Sequence, residues 1–396
     1  MIYRSIIQQK LLRKALIYDN QIKLMLLKMG FLKSGRKIQE KILKYCNYMK
    51  GDKPGHYKYS ADCPETLWAS AFAVLVLGLI GELEKMSEKE KSLWIKYLQS
   101  FQDKKTGVFL DPKFKDNDKK SLIHSNELMF AHWSTFIMGA LVLLGGKPLY
   151  PINWVHEYRD HNNMKKWIET RPWEISPWLV GNWSYDMGCA MGMDYLVTKD
   201  DRNLEAMNAY FEWYDEHQLK ETGWWDLSGK APVSDQQYGG YHTLMVYRMF
   251  DRPVPKVERM IESSLSLQSR DGMFVRSGGG GCCEDMDVID TLVCLGLATD
   301  YKQEEIKDAL LKTLPAILSK QNSDGGFYDK LRGGRAEFGW RLCSARPGES
   351  DLCSTLFQCF CIALIGEFLD DKKIMDTKWH HHKTYCHCVK KKIKLK

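Results

Sequence analysis

The chain has 396 residues, 44% of them apolar and 13 of them Trp, which excludes disorder for most of its length and is ample for a sizeable core in one large fold or two domains. The net charge of +7 sits at the ends: residues 1–50 carry twelve Lys and Arg against Asp19 and Glu40, and residues 371–396 carry nine Lys against Asp371 and Asp376. An acidic body between basic ends argues against a nucleic-acid partner, and twelve cysteines without framework spacing, behind an N-terminus lacking a signal-type apolar segment, predict reduced thiols in the cytoplasm.

Within residues 1–50, Ile6 to Leu32 mixes Leu, Ile and Met with Lys and Arg at roughly helical spacing. It reads either as a helix packed on the outside of the body with solvated charges, or as a membrane-surface helix giving peripheral membrane contact. The longest apolar stretch, Leu67 to Gly81, is too short to span a bilayer and carries Ser70, so it reads as a buried helix.

Four segments then share a Gln, a Gly four or five residues on, and an aromatic: Gln102…Gly107-Val108-Phe109, Gln218…Gly223-Trp224, Gln268…Gly272-Met273-Phe274 and Gln321…Gly325-Gly326-Phe327. The Gln positions lie 116, 50 and 53 residues apart. The first gap is two of the others, so the period is on the order of fifty residues, enough for one helical hairpin per repeat. Each Gln is expected to end a helix and each Gly to turn the chain.

After each turn a more apolar helix is expected, starting near Glu65-Trp68, Asn126, Asn182, Gln237, Glu284 and Glu349-Asp351. These six stretches are apolar on every side, which predicts burial on every side, whereas Glu88–Phe101, Asn203–Glu216 and Gln303–Lys320 carry their charges on one face. Six inner helices inside six outer ones make an all-α (α/α)6 toroid spanning residues 51–370. The polar starts of the inner helices would converge at one end, around a cavity.

One start stands out. Gly278-Gly279-Gly280-Gly281 leads through Cys282-Cys283 into Glu284, Asp285, Asp287 and Asp290, followed by the apolar run from Leu292 to Leu297. On a helix Glu284, Asp287 and Asp290 recur at i and i+3 and share a face. Like charges that close resolve in one of two ways: one carboxyl keeps its proton, or a cation such as Mg²⁺ sits among them. Acidic N-capping is the structural alternative, although a cap uses one or two acids. Cys282 and Cys283 read as small fillers of a tight turn.

Asp287, flanked by Glu284 and Asp290, is the first candidate acid or base, with Asp285 and His242 as its partners in catalysis. Substrate-binding candidates at the other polar starts are Glu127, His132, Asn182, Tyr185, Tyr238, Tyr241, Trp340, Arg341, Arg346, Glu349 and Asp351. For His242 a satisfied core histidine is the alternative, for Trp340 plain core packing, and for Arg341 and Arg346 pairing with Glu349 and Asp351. In the tail, His380-His381-His382 and Cys386-His387-Cys388 match no standard zinc finger, and residues 371–396 read as a solvated, poorly ordered basic tail.

The repeat, most clearly Gln321-Asn322-Ser323-Asp324-Gly325-Gly326-Phe327, resembles the Gln-Trp motif of the terpenoid cyclase and protein prenyltransferase superfamily. That resemblance implies an (α/α)6 barrel with its site in the central cavity. Asp285-Met286-Asp287 with Asp290-Thr291 resembles the Asp-x-Asp-Asp acid motif by which class II cyclases protonate an alkene or epoxide, with Val288 standing where the motif has Asp. The Asp-x-Cys zinc pair of protein prenyltransferases is not found at the matching helix start, nor is the aspartate-rich motif of class I synthases.

The resemblance therefore implies acid chemistry on an isoprenoid-type substrate. The residues themselves leave a second expectation, a carbohydrate-active toroid (hydrolase, lyase or epimerase) acting on a glycan. A third is a ring that binds a polymer or partner without chemistry.

Overall fold

A computed structural model of the chain describes residues 34–114, 126–275, 281–381 and 394–395. Twelve α-helices form among the described residues and alternate strictly. The odd-numbered ones are outer: α1 (Gly35–Met49), α3 (Glu88–Gln99), α5 (His161–Glu169), α7 (Arg202–His217), α9 (Val257–Leu265) and α11 (Gln303–Leu318). The even-numbered ones are inner: α2 (Leu67–Leu79), α4 (Asn126–Leu143), α6 (Pro177–Thr198), α8 (Val233–Met249), α10 (Cys282–Gly296) and α12 (Leu352–Phe368).

Burial separates the two sets as their composition dictates. Every residue of α2 is buried, whereas α3 buries only Trp94 and Leu98. Each inner helix packs on the next, α2 on α4, then α6, α8, α10 and α12, and α12 returns to α2, so the ring closes. The α6–α8 contact is backbone to backbone: a Cβ on Gly181 would lie 2.2 Å from the Gly239 carbonyl oxygen, and one on Gly239 would lie 2.2 Å from that of Pro177.

The recurring Gln is a clamp. Its side-chain amide donates to the carbonyl of the turning glycine in all four copies: Gln102 to Gly107 at 3.0 Å, Gln218 to Gly223 at 2.7 Å, Gln268 to Gly272 at 3.2 Å and Gln321 to Gly325 at 3.0 Å. All four glycines have φ between 77° and 104°, a region closed to most side chains. Gly272 presses on Lys312 of the following outer helix, and Gly325 presses on Lys41 of α1, where an added Cβ would meet the carbonyl oxygen at 2.0 Å. The last turn thus docks on the first helix.

A second clamp ties each turn to its inner helix. The N–H of the aromatic residue donates to a side chain within that helix: Phe109 to Ser134 Oγ (2.9 Å), Phe274 to Asp285 Oδ1 (2.8 Å) and Phe327 to Thr355 Oγ1 (3.0 Å). At the first hairpin Tyr57 N–H reaches Ser70 Oγ in the same way, at 3.2 Å. The second Gln copy departs, since Trp224 N–H meets Thr222 of its own turn at 3.4 Å.

Three expectations are corrected. Residues 35–49 are no appendage outside a 51–370 body: Ile38, Ile42, Tyr45, Cys46 and Met49 are buried, and α1 is an outer member of the ring. Nor does the ring end at residue 370. Gly35 N–H donates to Lys373 O (2.8 Å), Arg36 N–H to Asp376 Oδ1 (2.9 Å) and Gln39 Nε2 to Lys378 O (2.8 Å), Trp379 is buried, and His380 N–H caps Leu79 O at 2.8 Å. Finally, α6 and α8 begin about a turn before Asn182 and Gln237, because Ser176 caps α6 ahead of Pro177 and Pro232 precedes α8.

The segment Ile6–Leu32 and the tail residues His382 and Cys386–Cys388 lie outside the described residues. Among those described, no helix is long and apolar enough to cross a membrane.

Candidate active site

The N-terminal ends of the inner helices surround a cavity of about 310 Å³, at the small end of the range for small-molecule sites. Its aromatic lining is Tyr59, Trp68, Phe136, Trp178, Phe338 and Phe357. Phe338 arrives from the loop between α11 and α12, where Ala336–Glu337 pairs antiparallel with Ser344–Ala345, and its ring lies 4.8 Å from Trp68 in an edge-on contact. Its polar lining is His132, Asn182, His242, Glu284, Asp287, Asp329 and Asp351, with Cys282, Cys283 and Cys353.

Asp287 is fully buried, and among the described residues neither of its carboxylate oxygens has a hydrogen-bond partner. Burial first, then the charges of Glu284 and Asp290, push its carboxyl well above the ordinary range, which favours the protonated form. Desolvation also pushes Glu284 up to about 7. Asp329 and Asp351 are raised by burial to about 8 and about 7.

His242 presents the opposite character. Its Nδ1 lies 2.7 Å from the Tyr238 carbonyl oxygen, which only accepts, so Nδ1 carries the proton and Nε2 keeps its lone pair. Burial lowers its pKa to about 4, which leaves the ring neutral. His132 Nδ1 lies 3.1 Å from Asp186 Oδ1, and Asp186 is fully buried.

The remaining predicted residues are held elsewhere. Asp290 is paired with Arg248 at 2.7 Å and accepts from Tyr241 OH at 3.0 Å, so both Asp290 and Tyr241 serve the α8–α10 contact. Asp285 is the clamp acid that receives Phe274 N–H, with Lys320 Nζ at 3.7 Å; burial, offset by Lys320, moves it up to about 6. Tyr238 donates to Phe274 O at 3.0 Å, and Tyr185 is buried beside His242 with ring centroids 6.0 Å apart. Trp340 is buried in a cluster with Phe114 and Trp133.

Arg341 is exposed, and Arg346 pairs at the surface with Asp62, while its N–H donates to Glu349 Oε2 at 2.7 Å. The side chain of Glu127 lies outside the described residues. Asp351 both lines the cavity and caps α12, accepting from Ser354 N–H at 2.7 Å.

The four acids therefore do not share one environment, and among the described residues they do not form a group of three close donor atoms. The one such donor group among the described residues is Cys282, Cys283 and Cys353. Sequence reasoning missed Met129, Trp178, Asp329, Phe338 and Cys353. Trp178 belongs to the early turn of α6, and Asp329 and Phe338 sit in a loop with no helical period.

The family profile described as the prenyltransferase alpha-alpha toroid domain matches residues 34–169 and 185–379. The chain belongs to this family. No curated protein matches the toroid's sequence.

Among solved structures, a polysaccharide lyase (BACCELL_00875) aligns with a TM-score of 0.46 at 15% identity, over 84% of this chain and 97% of its own. The type II terpene cyclase MstE from Scytonema, in complex with geranylgeranyl dihydroxybenzoate, aligns with a TM-score of 0.45 at 9% identity, over 86% and 97%. The GH76 α-mannanase BT2949 of Bacteroides thetaiotaomicron aligns with a TM-score of 0.46 at 12% identity, over 89% and 99%.

Proposed function

We propose that the toroid is an enzyme that isomerises or cyclises an isoprenoid-type substrate by proton transfer from Asp287. The observation that carries this reading is a fully buried carboxyl with no hydrogen-bond partner among the described residues, lining a cavity that aromatic side chains also line. A neutral carboxylic acid in such a site has one productive outlet, a substrate atom that takes its proton.

In the first step the π pair of a substrate C=C bond forms a new C–H bond with the Asp287 proton, and the O–H pair stays behind as carboxylate. The cation so formed faces the π surfaces of Trp68, Phe136, Phe338 and Phe357, which stabilise positive charge and exclude the water that would quench it. The reaction ends when a C–H bond next to the cation gives its pair to a new C=C and its proton to Nε2 of His242. An imidazole with a pKa near 4 suffices, because the proton beside a carbocation is far more acidic. His242 then gives that proton to solvent and Asp287 takes a fresh one from solvent, which restores the resting state, so the net change is isomerisation.

The test is incubation with geranylgeranyl diphosphate and related polyprenyl substrates in D₂O, with products read by mass spectrometry. One deuterium per product, no release of diphosphate, and loss of turnover in Asp287→Asn are the expected results. Turnover of an oligosaccharide instead, or isoprenoid turnover unaffected by Asp287→Asn, would overturn the reading.

A further inference from the structure

We propose that Cys282, Cys283 and Cys353 form a zinc site in the cavity wall, with a fourth coordination position open to the cavity. The proposal stands apart from the protonation reading, since it needs neither Asp287 nor an isoprenoid.

The three sulfur atoms lie within 4.8 Å of one another, brought together by two helix starts about seventy residues apart in sequence. Zinc–sulfur bonds of about 2.3 Å in a tetrahedral site place sulfurs roughly 3.8 Å apart, so a small contraction closes the site. All three thiols also line the cavity. A disulfide would use two of them and strand the third, whereas a metal uses all three.

The surroundings suit thiolates. Cys282 is the first residue of α10 and Cys353 the second of α12, so the positive ends of two inner helices point at the cluster. Cys282 N–H donates to Asp329 Oδ1 at 2.8 Å, and the buried Lys320 ammonium reaches the Asp329 carbonyl at 3.2 Å, fixing the α10 start beside a cation. Soft sulfur donors select Zn²⁺ over Mg²⁺ or Ca²⁺, and three protein ligands with a fourth position facing a cavity is the arrangement that leaves a metal accessible. The donor set is all thiolate. It differs from the Asp-x-Cys and His set of the protein prenyltransferases, for which this chain has no matching pair.

The experiment is metal analysis of the full-length protein purified under reducing conditions without chelator, by elemental mass spectrometry, followed by exchange with Co²⁺. One zinc per chain and a thiolate-to-cobalt charge-transfer band are expected. Cys283→Ser and Cys353→Ser should each weaken zinc retention by more than the roughly 10–100-fold that loss of a ligand-supporting hydrogen bond costs. Cys63→Ser, outside the cluster, should leave it unchanged.

The wild-type measurements decide the matter even if a variant fails to fold. Wild-type protein with no zinc and no cobalt band, a disulfide among the three cysteines in peptide mapping, or zinc retained in a folded Cys283→Ser/Cys353→Ser protein would each overturn the proposal. An inactive Asp287→Asn variant that keeps its zinc, or an active wild type without zinc, separates this outcome from the fate of the protonation reading.

Discussion

Replacing Arg248 with Met should destabilise the fold strongly, and replacing Asp290 as well should recover most of the loss. The guanidinium of Arg248 lies 2.7 Å from Asp290, with each side chain about 2% exposed, and Asp290 also accepts from Tyr241 OH and Cys294 Sγ. Removing one partner of such a pair leaves a buried carboxylate without its cation, which costs about 3–5 kcal/mol. For a chain of this length the unfolding entropy converts that into a midpoint drop of roughly 4–6 °C.

In Arg248→Met/Asp290→Asn the charge is gone while the amide oxygen still receives Tyr241, so the double variant should unfold close to wild type. Urea titration of the four proteins of the cycle measures both the loss and the coupling. The reasoning fails if Arg248→Met loses less than about 1 kcal/mol. It also fails if Asp290→Asn abolishes activity without touching stability, since Asp290 would then be the catalytic acid that its spacing in the sequence suggests.

His242→Gln should flatten the acid limb of the stability curve. A folded pKa near 4 against an ordinary 6.5 means that His242 contributes stability above pH 6.5 and loses it as pH falls to 4, at most about 3 kcal/mol, measurable by urea titration at several pH values. A wild-type acid limb unchanged by the substitution would refute this.

Asp287→Asn should act at the other end. A carboxyl raised in the folded state stabilises below its ordinary pKa and costs stability as pH rises, so the variant should match wild type in acid and exceed it increasingly toward alkaline pH. A constant difference across pH would contradict it. Gly325→Ala, with a Cβ 2.0 Å from Lys41 O at φ +104°, should lose clearly more than the roughly 1–2 kcal/mol of positive-φ strain expected for Gly333→Ala, which has nothing within 4 Å. Equal thermal shifts would mean that the last turn does not bear on α1.

The ring was legible because its signals are local and repeated. Helices apolar on all sides, a glutamine before a glycine, and an aromatic after it can each be read from a few residues, and the period follows from their recurrence. The first outer helix could have been read too. Ile38, Ile42, Tyr45, Cys46 and Met49 form an apolar stripe at helical spacing, and the basic residues between them distracted from it.

The direction in which each acid of α10 faces was not legible. Asp290 is turned from the site by an arginine 42 residues earlier and Asp285 by the backbone of Phe274, and neither partner carries a mark in the sequence of α10. Cys353 is hidden for the same reason. Its partners come from another helix, and nothing about a lone cysteine announces them.

The register of the second clamp shows why Asp287 differs from its neighbours. Ser70, Ser134, Asp285 and Thr355 occupy equivalent places, each receiving the N–H of the preceding aromatic segment. Two residues before them stand Trp68, His132, Cys283 and Cys353, and all four line the cavity. Two residues after them stand Phe72, Phe136, Asp287 and Phe357.

Three hairpins thus place a phenylalanine where the α10 hairpin places a carboxylic acid, at the same depth and among the same aromatic walls. Burying an unpartnered carboxyl where the fold accepts Phe costs stability, since burial penalises both its polar atoms and its ionised form. A Phe at position 287 would serve packing better. The proposed role of Asp287 as proton donor to a molecule in the cavity supplies the reason for an acid there that packing does not.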